Sequence, residues 1–282
     1  MSSHPGSNNA IVGNSQQINN NNNDNQYFDP SGSKAATTTT ITNIQIIESF
    51  RIMDILLQFF LAKEFSTISS LVESGKVNVN VQNQDGLSLL HLSVSQNNLE
   101  FSRYLISKGA NVNIMDISQI TPLHNACANG SLPLVELLVR SGANINTCDE
   151  EGDSPCHYAI RESQDQVLEF LINQCKANVN ASNDEGESLL HLACGLGELK
   201  STQVLLRAGA QINLRDECGQ TPLCEAKNNN HCQIVDLLSQ FSSNNKQQQQ
   251  QQQQNEHTSQ FPFQDYKDMH YGSTPIYASY YF

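Results

Sequence analysis

Between residues 50 and 242 the apolar residues recur in pairs of short stretches with helical spacing. One such stretch, residues 132–142, has apolar positions three or four residues apart, which mark one buried helix face: Leu134, Val135, Leu138 and Val139. A shorter apolar stretch precedes each of these segments and begins directly after a Ser or Thr that can cap a helix. The pattern therefore predicts consecutive pairs of helices in an all-α fold.

A fixed period connects these pairs. The stretches SLLH, TPLH, SPCH, SLLH and TPLC end at His91, His124, His157, His191 and Cys224, with spacings of 33, 33, 34 and 33 residues. Fourteen residues after each of these positions stands a leucine: Leu105, Leu138, Leu171, Leu205 and Leu238. Five copies of two landmarks do not arise by chance, so the chain contains an internal repeat.

The residues around each landmark predict where the first helix of each pair begins and ends. Its N-cap is a hydroxyl residue in every copy: Ser88, Thr121, Ser154, Ser188 and Thr221. Proline follows in three copies, at the first helical position, where its missing N–H costs nothing. Six residues after the His position stand residues that suit a left-handed turn, which predicts a first helix of about nine residues: Asn97, Gly130, Ser163, Gly197 and Asn230.

This combination of period and motif resembles the ankyrin repeat, which has a 33-residue unit and a TPLH signature. The resemblance covers about two thirds of the chain and implies an ankyrin-repeat solenoid of about six helix-turn-helix units with projecting β-hairpin loops. The first unit is degenerate, because Gln58 takes the His position and the cap is missing, as expected for a terminal repeat. The predicted units are 50–82, 83–115, 116–148, 149–182, 183–215 and 216–242.

The segments on either side of the repeats differ in composition. Residues 1–43 are rich in Asn, Ser and Thr, and residues 243–260 are rich in Gln, so both are predicted to be disordered tails or linkers. Residues 261–282 hold eight aromatic residues, which is unusual for a disordered segment. Two interpretations stay open for this last tail: a sticky end, or a docking motif for a partner or for the protein's own groove.

The sequence offers no constellation for catalysis, for a cofactor or for a metal. The four histidines lie on successive repeats, about 8–10 Å apart, whereas zinc ligands lie about 2 Å from one ion. By resemblance these histidines bond backbone between repeats. Cys156 and His157 are adjacent on a helix and do not face each other. The eight cysteines, between Cys127 and Cys232, contain no C-x-x-C pair and are predicted to be small buried hydrophobes. We therefore expect a binding module and not an enzyme.

No secretory signal is visible, and the most apolar stretch, residues 52–62, is too short to span a bilayer. These features predict a cytoplasmic or nuclear protein without a membrane segment, and we expect it to be a monomer.

Acidic charge is concentrated in the fourth to sixth units. The chain has 28 acidic and 15 basic side chains, and residues 149–187 hold ten acidic against two basic ones. A surface of this sign repels phosphates, so we expect no nucleic acid as a partner. The acids are explained either by ordinary solvation or by attraction of a basic protein segment. The predicted stripe along the hairpin tips comprises Asp149, Glu150, Glu151, Asp153, Asp184, Glu185, Glu187, Asp216 and Glu217.

The ankyrin resemblance adds a second set of candidate protein-binding positions, on the concave side of the solenoid. These are Ser95, Gln96, Ala128, Asn129, Arg161, Glu162, Gly195, Leu196, Asn228 and Asn229. Three functions are compatible with such a surface. The first is a scaffold or adaptor that binds a protein ligand. The second is an acidic stoichiometric inhibitor of a basic partner, similar to the inhibitors of NF-kappaB transcription factors. The third is a regulatory or targeting subunit of an enzyme.

Overall fold

The computed structural model describes residues 51–243, which form twelve helices arranged as successive antiparallel pairs. The helices are α1 (51–61), α2 (Phe65–Glu73), α3 (Leu89–Ser95), α4 (Leu99–Ser107), α5 (Pro122–Ala128), α6 (Leu132–Arg140), α7 (Pro155–Arg161), α8 (Asp165–Asn173), α9 (Leu189–Leu196), α10 (Leu199–Arg207), α11 (Pro222–Asn228) and α12 (232–243). The six helix pairs confirm the all-α repeat solenoid of about six units. The predictions for the two tails concern residues outside the described range.

The predicted helix boundaries of the later units are confirmed. Helices α3, α5, α7, α9 and α11 begin after the five predicted Ser and Thr N-caps, and proline opens α5, α7 and α11. The five residues predicted to end these helices all have positive φ, from 54° at Asn97 to 81° at Gly197. The first helices are seven or eight residues long, shorter than the nine predicted, because in four of them one residue lies between the last helical residue and the left-handed one, and α9 ends directly before it.

One apolar face of every second helix packs into a continuous core. The leucine that recurs fourteen residues after the His position is fully buried in four units and 3% exposed in the last, at Leu238. Leu134 and Val135 of α6 are also fully buried, whereas Val139 is half-buried. The buried positions of these helices thus match the helical spacing predicted from the sequence.

The first unit joins the stack through aromatic rings. Phe60 of α1 lies 5.4 Å from the ring of Phe65 and 6.0 Å from that of Phe101 in the second unit, measured between centroids. Phe60, Leu56 and Ile68 are fully buried. The degenerate first unit therefore shares one core with its neighbour, although it lacks the cap and the histidine.

An extra residue in the fourth unit is absorbed at the end of its second helix. In the third unit the amide of Ala143 donates to the carbonyl of Leu138, five residues earlier, at 2.9 Å. The corresponding bond in the fourth unit runs from Ala177 to Leu171, six residues earlier, at 3.0 Å. Lys176 adopts a φ of +61° to close this wider turn.

The projecting loops are turns and not β-hairpins with paired strands. Within residues 51–243 the β-pairing consists of two isolated bridges, between residues 82 and 88 and between residues 182 and 188. The loops are instead stabilised by side-chain hydrogen bonds, which are described below. They keep the predicted hairpin shape without a ladder of strand hydrogen bonds. No helix in this part of the chain is long and apolar enough to cross a membrane.

Candidate functional site

Each projecting loop is built around one Asp or Asn side chain. The Oδ1 atom of Asp116 accepts hydrogen bonds from the amides of Ser118 and Ile120, at 3.0 and 2.9 Å. In the fourth unit Asp149 accepts in the same way from the amides of Glu151 and Asp153, at 3.0 and 2.8 Å. Short polar side chains of this kind mimic a backbone turn. The same position is filled by Asn83, Asn183 and Asp216 in the other units.

Neighbouring loops are joined by one backbone hydrogen bond each, which fixes how they line up. The amide of Ile117 donates to Asp85 at 3.1 Å, and the amide of Glu150 donates to Ser118 at 3.0 Å. Asp184 and Glu217 donate in turn to the preceding loops, both at 3.0 Å. The loops thus stand side by side, as predicted. We call the equivalent residues at their ends the tip row: Gln84, Ile117, Glu150, Asp184 and Glu217.

Glycine permits this close approach between the fourth and fifth loops. Gly152 has a φ of +81°, and a Cβ atom at this residue would lie 2.6 Å from the amide nitrogen of Asp184. A side chain there would therefore meet the backbone of the next loop.

Five carboxylates of the predicted stripe are exposed at these loops. We call them the acidic tips: Glu150, Glu151, Asp184, Glu185 and Glu217. Four of them, from the fourth and fifth loops, surround a shallow depression that Arg161 and Asn183 also line. The acidic tips are the part of the predicted stripe that a partner can reach from solvent.

Two other members of the stripe, Asp149 and Asp153, are corrected by the structure, and Asp216 and Glu187 are only partly exposed. Asp153 is fully buried and Asp149 is 9% exposed, because both belong to the interior of the fourth loop. Asp149 also accepts a hydrogen bond from the Tyr158 hydroxyl at 2.7 Å. Asp216 and Glu187 are half-buried, and burial raises the pKa of the Glu187 carboxyl. Asp149 and Asp153 therefore stabilise the interior of the loop, whereas Asp216 and Glu187 remain partly accessible to solvent.

The buried Asp153 forms an ion pair with Arg161 at the end of α7. Its Oδ1 atom also accepts a hydrogen bond from the Asn183 side chain at 3.2 Å, so one carboxylate links the fourth and fifth loops. The Arg161 side chain keeps 38% exposure. Arg161 therefore combines a structural role with a place at the rim of the depression.

The remaining candidate positions lie at the C-terminal ends of α5, α7 and α9. Asn129 and Glu162 are exposed, Ala128 and Gly195 are half-buried, and Leu196 is a large apolar side chain with 48% exposure. The amide of the Asn129 side chain donates to the carbonyls of residues 94 and 95, at 3.1 and 3.3 Å. Asn129 is thus partly occupied in holding the preceding unit. The flanking candidates Ser95, Gln96, Asn228 and Asn229 are also exposed.

The repeated histidines act as helix caps that bridge units. In the second unit the Nδ1 atom of His91 accepts from the amide of Ser88 at 3.1 Å, so the proton lies on Nε2, which donates to the carbonyl of Ile120 at 3.1 Å. His124 and His191 make the equivalent contacts to residues 153 and 220. Burial lowers the pKa of His91, His124 and His157, which favours the neutral form that this geometry needs.

Within residues 51–243 the reactive-looking groups do not combine into a chemical centre. Burial raises the pKa of the Cys156 thiol to about 12, which disfavours the thiolate needed for a nucleophile. Among the residues that the structure describes, no group of His, Cys, Asp and Glu side chains has the arrangement of a metal site. The cysteines were only partly predicted: Cys127, Cys156 and Cys194 are buried, whereas Cys148, Cys218 and Cys232 are exposed.

Two features of this surface were missed in the sequence. The first is a ladder of asparagines, in which the side-chain oxygens of Asn80 and Asn113 accept from the amides of Asn111 and Asn144, at 2.7 and 2.8 Å. The recurring Asn of the segments NVN and NIN was its signal. The second is Ile117, an apolar side chain of the tip row that is 68% exposed and precedes the acidic members of that row.

Comparisons with known proteins agree with this architecture. A family model described as ankyrin repeats, in three copies, matches residues 56–149, 123–216 and 157–252. The chain is also similar to a protein named as the probable E3 ubiquitin-protein ligase XBOS33 of Oryza sativa subsp. japonica, with 40% identity over 57 residues. These residues are 20% of this chain and span 11% of the length of that relative.

Proposed function

The chain belongs to the ankyrin-repeat family, a family of protein–protein interaction modules, and from this premise we propose that it is a non-enzymatic scaffold or adaptor whose ligand is a protein segment rich in Lys and Arg. The observation that carries the proposal is the position of the acidic tips. Glu150, Glu151, Asp184 and Glu185 are exposed around one depression, on loops whose spacing is fixed by backbone hydrogen bonds. The ends of α5, α7 and α9 supply the rest of the contact surface.

The electrostatics favour a basic ligand over other classes. Exposed carboxylates contribute little to folding, so their concentration at the tips is not required by the fold. A row of negative charge attracts a positively charged segment from solution and accelerates its association, an effect that salt screens over about 8–10 Å. The same field repels nucleic acid. We expect the protein to bind as a monomer in the cytoplasm or nucleus.

The test compares two variants with the same change of net charge. The tip variant carries Glu150→Gln, Glu151→Gln, Asp184→Asn and Glu185→Gln. The control variant neutralises four exposed carboxylates outside the loops: Asp54, Glu100, Glu169 and Asp236. Affinity purification from the native cell should recover a basic partner with the wild-type and control proteins, and much less of it with the tip variant.

The kinetics of the recovered partner give a second result. Association with the tip variant should be about tenfold slower than with wild type at low salt, and nearly equal at high salt. All variants should melt at similar temperatures, because the changed side chains are exposed. Equal association rates for the tip variant and wild type at low salt would contradict the proposal and leave the ends of the first helices as the binding surface.

A targeting subunit of an enzyme is the second candidate, and the similarity to a probable E3 ubiquitin-protein ligase favours it. In this alternative the repeats select a protein and deliver it to a catalytic chain. Co-purification of an active ligase with the wild-type protein would support it. A single basic partner in a 1:1 complex, whose own activity falls on binding, would instead identify a stoichiometric inhibitor.

A further inference from the structure

The tip row contains one apolar member among polar and acidic ones. Ile117 is 68% exposed, and Met115, two residues earlier, is 41% exposed. At the positions of Ile117 the following loops carry Glu150, Asp184 and Glu217. The solvent-facing edge of the loops therefore changes from apolar to acidic between the third and fourth units.

Local structure holds this apolar pair in place. The amide of Ile117 donates to the carbonyl of Asp85 at 3.1 Å, and the carbonyl of Met115 accepts from the Gln82 side chain at 2.8 Å. The neighbouring Ser118 carbonyl accepts from Glu150 at 3.0 Å. These bonds fix the backbone that carries the pair, so this backbone loses little further freedom on binding, and removal of the exposed apolar surface from water favours association.

We propose that Met115 and Ile117 form the apolar anchor of the binding surface, and that the partner is an extended segment with an apolar side chain at one end and basic side chains at every third position. This deepens the function proposed above and rests on it. The apolar side chain covers Met115 and Ile117, and three successive basic side chains face Glu150, Asp184 and Glu217. Charge complementarity selects the basic part, and the apolar pair fixes its register.

The three-residue spacing follows from the geometry of both partners. Successive loops are carried by packed helices, whose axes lie about 8–10 Å apart. A polyproline II segment rises about 3.1 Å per residue with three residues per turn, so every third side chain points the same way after about 9 Å. A β-strand alternates its side chains with a period of two, so residues three apart face opposite sides. The partner segment is therefore polyproline II-like.

The experiment uses designed peptides and the full chain. The patterned peptide has the order Leu-Pro-Ala-Lys-Pro-Ala-Lys-Pro-Ala-Lys, and its reversed order covers the opposite chain direction. A peptide of the same composition with its three lysines adjacent is the control. Binding is measured by fluorescence anisotropy at low and at physiological salt. One of the two patterned peptides should bind at least tenfold more tightly than the control peptide.

Variants of the protein separate the apolar anchor from the charges. Ile117→Ser should weaken the patterned peptide about tenfold at either salt concentration, because it removes buried apolar area. Ile55→Ser is the matched control, since Ile55 is 52% exposed on α1 and lies outside the loops. It should leave binding unchanged. The tip variant should weaken binding mainly at low salt.

The outcomes distinguish the two proposals. If the tip variant weakens binding but Ile117→Ser does not, the apolar anchor is wrong and the basic-ligand proposal stands. If the control peptide binds as tightly as the patterned one, the three-residue register is wrong. If the tip variant binds all peptides like wild type, or no peptide binds at low salt, the proposed basic ligand is refuted together with the anchor.

Discussion

The ion pair between Asp153 and Arg161 gives the sharpest test of the structure, because its two members differ in burial. Asp153 is fully buried, whereas the Arg161 side chain is 38% exposed. Removing either side chain leaves the other without its partner. The cost should therefore depend on which charge is left behind, and the buried carboxylate should be the more costly one.

The magnitudes follow from this asymmetry. Removing one partner of a buried pair costs about 3–5 kcal/mol. Arg161→Ala leaves Asp153 with one hydrogen bond from Asn183 at 3.2 Å and should cost this full amount. Asp153→Ala leaves a guanidinium that water can partly reach, so about 2–3 kcal/mol is expected, and a domain of this size should melt roughly 5–10 °C lower.

The assay is urea and thermal unfolding of the two single variants and of the double variant. The double variant should be more stable than Arg161→Ala alone, because no unpaired buried charge remains. Glu150→Gln, three residues from Asp153 but exposed, is the control and should change stability by less than about 0.5 kcal/mol. If Asp153→Ala matches this control, or if the two single effects simply add, the pair does not contribute as argued.

Two further predictions concern the loops and the caps. Gly152→Ala should destabilise the protein by about 2 kcal/mol or more, because its Cβ atom would meet the amide of Asp184. Gly219→Ala is the control and should cost about 1 kcal/mol, because Gly219 also has a positive φ but no atom lies within 4 Å of its Cβ position. Equal urea midpoints for the two variants would contradict the close contact. Burial lowers the pKa of His124 in the folded protein. The contribution of neutral His124 to the free energy of unfolding should therefore be fully present above the unfolded pKa of about 6.5 and should fall as the pH drops below it. His124→Gln should lose less stability between pH 7.5 and 5.5 than wild type, measured by urea unfolding, and an equal loss would rule out this histidine as a source of the acid sensitivity.

The repeat, its helices and its caps were predictable because they depend on local sequence. A hydroxyl N-cap, an N1 proline and a left-handed residue each act within a few positions, and five copies reinforce one another. Even Ser163, which is neither Gly nor Asn, adopts the predicted positive φ of 55°. The alignment of the loops was predictable for the same reason, since it follows from stacking identical units.

The burial of Asp153 was not predictable from charge alone. Counting acids treats Asp153 like its neighbour Glu150, although the loop turns the two side chains in different directions. The equivalent positions in the second and third units are Leu87 and Ile120, which are half-buried, and this comparison was the available signal. Its partner Arg161 comes eight residues later, at a position that holds small or polar residues in most other units. A loop residue and a helix residue that pair in this way are recognised only when the chain is folded.

The departures from the repeat pattern concentrate where the fourth and fifth units meet. Glu187 is half-buried with a raised pKa, and Lys176 occupies a left-handed conformation that other units give to glycine. Like charges on the adjoining tips add repulsion. The second and third loops carry Gln84 and Ile117 at the positions of Glu150 and Asp184, so the loop fold does not itself require acidic residues there.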